Sequence, residues 1–203
     1  MIGNLKMYLF FDTETTGFAR PSLPPRDMKQ GRVCQLAMVL TDKNGIVRAE
    51  YASLIAPDHW TIQTGAQKVH GHTDVICGEY GVKSRMAFQL FQRFAAKADT
   101  LVAHNIDFDH KIMVNEAAAH KMDMPVFEHK ICTMKDATET CRIPKKKGSG
   151  YKWPSLEEAL DVLCGEKLEG AAHDAMVDTR GCVKVFFELK KRGVFPERSN
   201  NAA

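Results

Sequence analysis

No stretch of this 203-residue chain approaches the ~18 consecutive apolar residues of a membrane-crossing helix. Met1 to Lys6 also lacks the basic segment and following apolar run of about seven that mark an export signal. A cytoplasmic protein with no membrane partner is therefore expected. Cysteine is scattered: Cys34, Cys77, Cys132, Cys141, Cys164 and Cys182 stand far apart, with no C-x-x-C pair and no matched cysteine and histidine spacing for zinc. A zinc module is thereby excluded, and the thiols are expected to be reduced packing residues. Neither charge sign dominates, because 28 basic residues face 25 acidic ones for a net charge of +3. No repeat is present, and no low-complexity segment apart from a lysine-rich stretch after residue 144. With 44% apolar and 26% charged residues, the chain suits one α/β domain over 1–203 and needs no second.

What the chain does have is acids in three short clusters. The first is Phe11-Asp12-Thr13-Glu14-Thr15-Thr16-Gly17, directly after an apolar run from Met7 that reads as a buried strand. Alternate residues of a strand share a face, so Asp12 and Glu14 project together. Two ionised carboxylates side by side repel unless a cation lies between them. Oxygen donors suit magnesium or manganese, and such sites act on phosphate esters. The second cluster is His104-Asn105-Ile106-Asp107-Phe108-Asp109, and the third is His173-Asp174-Ala175-Met176-Val177-Asp178. Residues five apart on a helix differ by about 140°, so His173 and Asp178 converge only if His173 lies just before the helix. Asp174, a good N-cap, marks that boundary. An imidazole placed there could take a proton from an attacking water.

The remaining pattern predicts a mixed sheet with helices on both faces. Val33 to Leu40 and Ile46 to Ile55 read as strands joined by a hairpin at Asp42-Lys43-Asn44-Gly45. A short segment spans Ala66 to Gly71, and a helix runs from about Val82 to Ala98 with Met86, Leu90, Phe91 and Phe94 on one stripe. Thr100 to His104 is a strand leading into a helix that reaches about His120, and Lys130 to Thr133 is a short fifth strand. Ser155 and Glu158 form a capping box for a helix over Leu156 to Leu163, and a last helix begins near His173 and ends before Gly193.

Taken in order, Phe11-Asp12-Thr13-Glu14-Thr15-Thr16-Gly17, His104-Asn105-x-x-Phe108-Asp109 and His173-x-Ala175-x-x-Asp178 resemble the three motifs of the DEDDh, or DnaQ-like, 3′-5′ exonuclease superfamily. Gln67-Lys68-Val69-His70-Gly71 is similar to the segment between the first two motifs in proofreading subunits. The resemblance covers about residues 7–191, leaving a short tail, 193–203. It implies an RNase H-like α/β fold with a five-stranded mixed sheet. It also implies two divalent cations held by Asp12, Glu14, Asp109 and Asp178, with His173 as general base. Asp107 and Asp109 cannot both face the site, being about 200° apart on a helix. The motif spacing selects Asp109 and leaves Asp107 as an N-cap.

Substrate contacts are expected at Thr15, His70, Asn105 and Phe108, with His104 either catalytic or bracing the strand end. Lys145, Lys146 and Lys147 lie among Arg142 and Lys152 in a stretch with no acid from Thr140 through Ser155, and could follow a phosphodiester backbone. A solvated flexible loop with Trp153 packed down is the alternative. Phe18 to Arg32, carrying Arg20, Arg26, Lys29 and Arg32, either flanks the substrate or is a surface insertion. Because four acids belong to the cation cluster, the rest of the surface is more basic than +3 implies, which favours a polyanionic partner. The expected activity is 3′-5′ hydrolysis of single-stranded or frayed DNA to nucleoside 5′-monophosphates. RNA is the alternative substrate, a polymerase or repair assembly the alternative setting, and a non-catalytic nucleic-acid-binding module the rival class.

Overall fold

The apolar run after residue 6 becomes the hub of a mixed sheet. The computed structural model describes residues 7–170 and 173–195; the N-terminal stretch 1–6 and the part of the expected tail beyond 195 lie outside the described residues. In chain order the elements are β1 (Met7–Thr15), β2 (Val33–Asp42), β3 (Val47–Ala56), α1 (Thr64–His70), α2 (Asp74–Tyr80), β4 (Val82–Lys83) and α3 (Ser84–Ala95). Then follow β5 (Thr100–Ala103), α4 (Ile106–His120), β6 (His129–Cys132), α5 (Thr133–Asp136), α6 (Thr138–Cys141), α7 (Leu156–Cys164) and α8 (Ala175–Lys191). The sheet order is β4-β3-β2-β1-β5-β6. β1, β2 and β3 are antiparallel neighbours, whereas β5 and β6 continue parallel to β1.

Strand β1 is buried on both faces, which is why it reads as a continuous apolar run. Leu9 and Phe11 enter a core with Phe88, Phe91, Ile112 and Met113. Phe10 enters another with Val102, Cys182 and Phe186. The hairpin at Asp42 to Gly45 forms as expected, with Gly45 at φ 86°. Ser155 and Glu158 complete their capping box on α7. All six cysteines are unpaired. Among the described residues no helix is long and apolar enough to cross a membrane.

Among the described residues the sheet has six strands where five were expected. The extra one is the two-residue β4, pairing parallel to β3 at Ile55 and Ala56. Gly81 permits this, because a Cβ there would lie 2.5 Å from the Ala56 backbone nitrogen and 2.3 Å from the Cys77 carbonyl oxygen. With residues 82–83 drawn into the sheet, α3 starts at Ser84 and turns Ala87, Phe88, Phe91 and Ala95 inward. Met86, expected on the buried stripe, is 58% exposed, while Leu90 and Phe94 lie partly buried against the core.

Candidate active site

Parallel pairing sets the place of the acids. Phe10 pairs with Val102, so the carboxyl ends of β1 and β5 open on the same edge of the sheet, where ligands of such sheets are usually bound. Asp12 and Glu14 share the face of Phe10 by alternation, the face covered by α8. Thr13 points to the other face, toward α4. There its backbone N–H and hydroxyl both donate to Asp109 Oδ1, at 3.1 and 2.7 Å. Asp109, in the first turn of α4, is thereby tied to the strand that carries the first two acids. Asp174 caps α8, its Oδ1 accepting the N–H groups of Met176 and Val177 at 3.0 and 3.1 Å. His173 stands just outside the helix at φ 63°, a left-handed conformation, and Asp178 lies one turn inside.

Candidate ligand atoms of Glu14, His173 and Asp178 lie within 4.8 Å of one another. Asp12 and Asp109 fall outside this trio but close enough for their charges to act within it. Burial, followed by the charges of Asp109, Glu14, Asp178 and Asp174, holds the Asp12 carboxyl well above the ordinary range. Burial pushes Glu14 up to about 8, aided by Asp178 and Asp109. Asp109 is raised to about 7 by burial, despite the hydrogen bonds from Thr13. Asp178 is raised to about 6 by burial, which neighbouring His173 partly offsets. Among the described residues no lysine or arginine forms an ion pair with any of the four. Asp178 Oδ1 is buried with no hydrogen-bond partner. Oxygen donors gathered without a lysine or arginine partner, one of them orphaned, fit a divalent cation.

The other expected site residues are placed as follows. Thr15, buried at the end of β1, donates its hydroxyl to the Gly17 carbonyl at 3.1 Å. His70 ends α1; its Nδ1 accepts the His72 N–H at 3.0 Å and its Nε2 lies 3.1 Å from the Thr15 carbonyl oxygen. Any contact from His70 to a nucleotide would therefore use the ring face. Asn105 turns the chain from β5 into α4 at φ 75°, without a side-chain cap bond. Phe108 packs partly into the core, its ring 6.0 Å from that of Phe18, which is 78% exposed. His104 braces the strand end, with Nδ1 3.0 Å from Thr133 Oγ1 and Nε2 3.1 Å from the Pro154 carbonyl oxygen. Burial drives its pKa down to about 4.

Two expectations change. Asp107 is not the N-cap of α4; Asn105 holds that position, and Asp107 pairs at the surface with Lys135. Arg32 is not available to substrate, because its guanidinium forms a buried pair with Glu116 through Nε at 2.7 Å and Nη2 at 2.9 Å. The loop before it is ordered around Gln30, whose amide bonds Arg20, Leu23 and Pro24, and leaves Arg20, Arg26 and Lys29 exposed. Lys145, Lys146 and Lys147 are exposed on a small hairpin closed by a bridge between Pro144 and Tyr151, with Trp153 62% exposed beside it. Sequence reasoning missed Thr13, which alternation places off the acidic face.

The model of the RNase_T exonuclease family matches residues 9–186. Exonuclease I of E. coli in complex with a dT13 oligonucleotide aligns with a TM-score of 0.75 at 20% identity, over 93% of this chain and 42% of that one. Its complex with a dA16 oligonucleotide gives 0.73 at 20% identity, over 92% and 41%. A zinc-ion-bound form of the exonuclease I–ssDNA complex gives 0.70 at 20% identity, over 93% and 41%. At this identity the likeness shows the fold, and the chain spans about two fifths of the length of the chains it matches. No curated protein matches the sequence.

Proposed function

The chain belongs to the exonuclease family, and on that premise we propose that it is a metal-dependent 3′-5′ exonuclease that removes nucleoside 5′-monophosphates from single-stranded or frayed DNA. The observation that carries this is the meeting of Asp12, Glu14, Asp109 and Asp178, from three separate segments, with Asp178 Oδ1 buried and unpartnered. These four would hold two divalent cations, Mg2+ or Mn2+, since hard oxygen donors without thiolate suit both. When bound, the cations would supply Lewis acidity to the attacking water and to the leaving 3′ oxygen.

The chain's own groups supply the rest. His173 is the general base, taking the proton of the attacking water on its exposed ring beside Glu14 and Asp178. Thr13 keeps Asp109 turned toward β1. Thr15, His70, Asn105 and Phe108 would contact the terminal nucleotide, the aromatic ring of Phe108 offering its face to a sugar or base. Lys145, Lys146 and Lys147 would follow the backbone phosphates upstream. The oligonucleotides held by exonuclease I favour single-stranded DNA as the substrate.

A time course with 5′-labelled single-stranded DNA, duplex DNA and RNA, in magnesium, manganese or EDTA, tests this directly. A descending ladder that is fastest on single-stranded DNA and requires both a cation and Asp12 is expected. A faster ladder on RNA would reassign the substrate class. Retained binding without cleavage would overturn the enzyme in favour of a binding module. His173→Ala should lower turnover by roughly 10²- to 10⁴-fold, with partial recovery at high pH, where hydroxide needs no base.

A further inference from the structure

Across the β1–β2 pairing, the register partner of Glu14 is Gln35, a side chain 7% exposed. Its amide reaches two other segments. Oε1 accepts the Ala175 N–H at 3.0 Å and lies 3.0 Å from His72 Nε2, while Nε2 donates to Asp174 Oδ2 at 3.0 Å. The tautomers follow from the pattern. The His72 N–H occupies His70 Nδ1, so His70 carries its proton on Nε2 and donates to the Thr15 carbonyl. Gln35 Oε1 can only accept, so His72 donates from Nε2. The rings of His70 and His72 stack at 4.9 Å. One chain of matched donors and acceptors therefore runs from the end of β1, through the turn after α1 and Gln35 on β2, to the start of α8.

Asp174 is held at both carboxyl oxygens, one by its own helix and one by Gln35. The residue immediately before it is His173, in a left-handed conformation that a non-glycine residue keeps only where its surroundings hold it. We propose that Gln35 is a positioning residue, which fixes where α8 begins and so holds the His173 imidazole beside Glu14 and Asp178. This rests on His173 being the general base. Asp178 rides on the same helix, but it is one turn further in and anchored by the helix itself. His173 stands outside the helix, where its backbone bond to the Asp178 carboxylate and the capped boundary together set its place, so it depends on that boundary more than Asp178 does.

The test is a double-mutant cycle of Gln35→Ala with His173→Ala on a single-stranded oligonucleotide, with thermal melting of each variant. Gln35→Ala should lower kcat by roughly 10- to 100-fold while KM stays within about twofold. In the His173→Ala background the same change should cost less than about threefold, because the group it positions is gone. Losses that multiply in the double variant would overturn the proposal, as would wild-type kcat in Gln35→Ala. A His173→Ala variant with wild-type turnover would instead remove the base assignment itself, so the two failures are told apart. Should Gln35→Ala not fold, Gln35→Glu carries the cycle: it keeps the acceptor for Ala175 and His72 but sets an oxygen against Asp174. A second readout needs no turnover. In cation-free protein the imidazole nitrogen resonances of His173 should form one sharp set, and broaden or split in either Gln35 variant; unchanged resonances would overturn the proposal.

Discussion

Two places in this molecule bury carboxylates, and they do it in opposite ways. Glu116 on α4 is 2% exposed, yet every requirement of its charge is met. It accepts from Arg32 Nε and Nη2, from the Val33 N–H at 3.0 Å and from Ser84 Oγ, and His120 Nε2 stands 3.5 Å away. Burial alone would push its pKa up, but the bonds from His120, Arg32 and Ser84 hold it at about 2. At the carboxyl end of β1, four acids are gathered without one lysine or arginine ion pair among the described residues, and each is displaced upward. Glu116 is complete within the chain and locks β2 to α3 and α4. The Asp12 cluster has no such compensation among the described residues, which is what the proposed cation site would supply.

The same acid-to-amide change should therefore act in opposite directions. Asp12→Asn should abolish cleavage to background while raising the stability of cation-free protein by about 0.5–2 kcal/mol, because it removes one charge from a repelling set. Turnover near wild type, or a lowered melting temperature in EDTA, would break the contrast from the active-site side. Glu116→Gln should cost about 3–5 kcal/mol, since it strands the Arg32 guanidinium in the interior. A melting temperature equal to wild type would break the contrast from the other side.

The pH dependence of stability separates the two places again. Glu14, Asp109 and Asp178 have folded-state values of about 8, 7 and 6, above those of an unfolded chain. Their contribution to stability is full below the ordinary carboxylate range and is lost as pH rises through those values. In EDTA the melting temperature should therefore fall from about pH 4, the ordinary carboxylate value, to about pH 8, the highest of the three folded values, and magnesium or manganese should flatten that fall. For Glu116 the sign reverses. Its contribution is full above the ordinary glutamate value and disappears as pH drops through about 2. A flat profile in EDTA would mean that the four acids do not repel as their burial demands.

How much of this was legible in the chain depends on the range of the interaction. Asp12 and Glu14 share a face by strand alternation, and Asp174 caps α8 by residue type. Ser155 and Glu158 form a capping box with partners only three positions apart. These are local rules, and the chain states them. Arg32 with Glu116, Thr13 with Asp109, and Gln35 with Asp174 are separated by 84, 96 and 139 residues. A sequence offers Arg32 as one more exposed cation beside Arg20 and Arg26; only the crossing of β2 against α4 shows its partner. Asp107 went astray for a related reason. Asn105 takes the left-handed turn into α4 and starts the helix at Ile106, one residue ahead of Asp107, which therefore lies inside the first turn instead of capping it. The two-residue β4 depends on Gly81 meeting β3, a contact that no periodicity records.

The comparison extends to charge of the other sign. Lys135 and Lys152 are each paired, with Asp107 and Glu158, and are thereby fixed to the framework. Lys145, Lys146 and Lys147 form no ion pair among the described residues, although the loop that carries them is ordered. The Lys145 N–H donates to the Gly150 carbonyl at 3.2 Å, and the Lys152 N–H to the Ile143 carbonyl at 2.9 Å. A hydrogen-bonded turn presenting three lysines without ion pairs is the surface counterpart of the unpaired acids at β1, and under the proposed function phosphates would meet the one and divalent cations the other. Replacing all three with alanine should raise KM for single-stranded DNA and leave kcat nearly unchanged. It should also reduce the slope of log affinity against log salt by up to about 2, at roughly 0.7 for each phosphate no longer neutralised. An identical salt slope would mean that the loop meets only water, and that the cation-dependent site alone holds the strand.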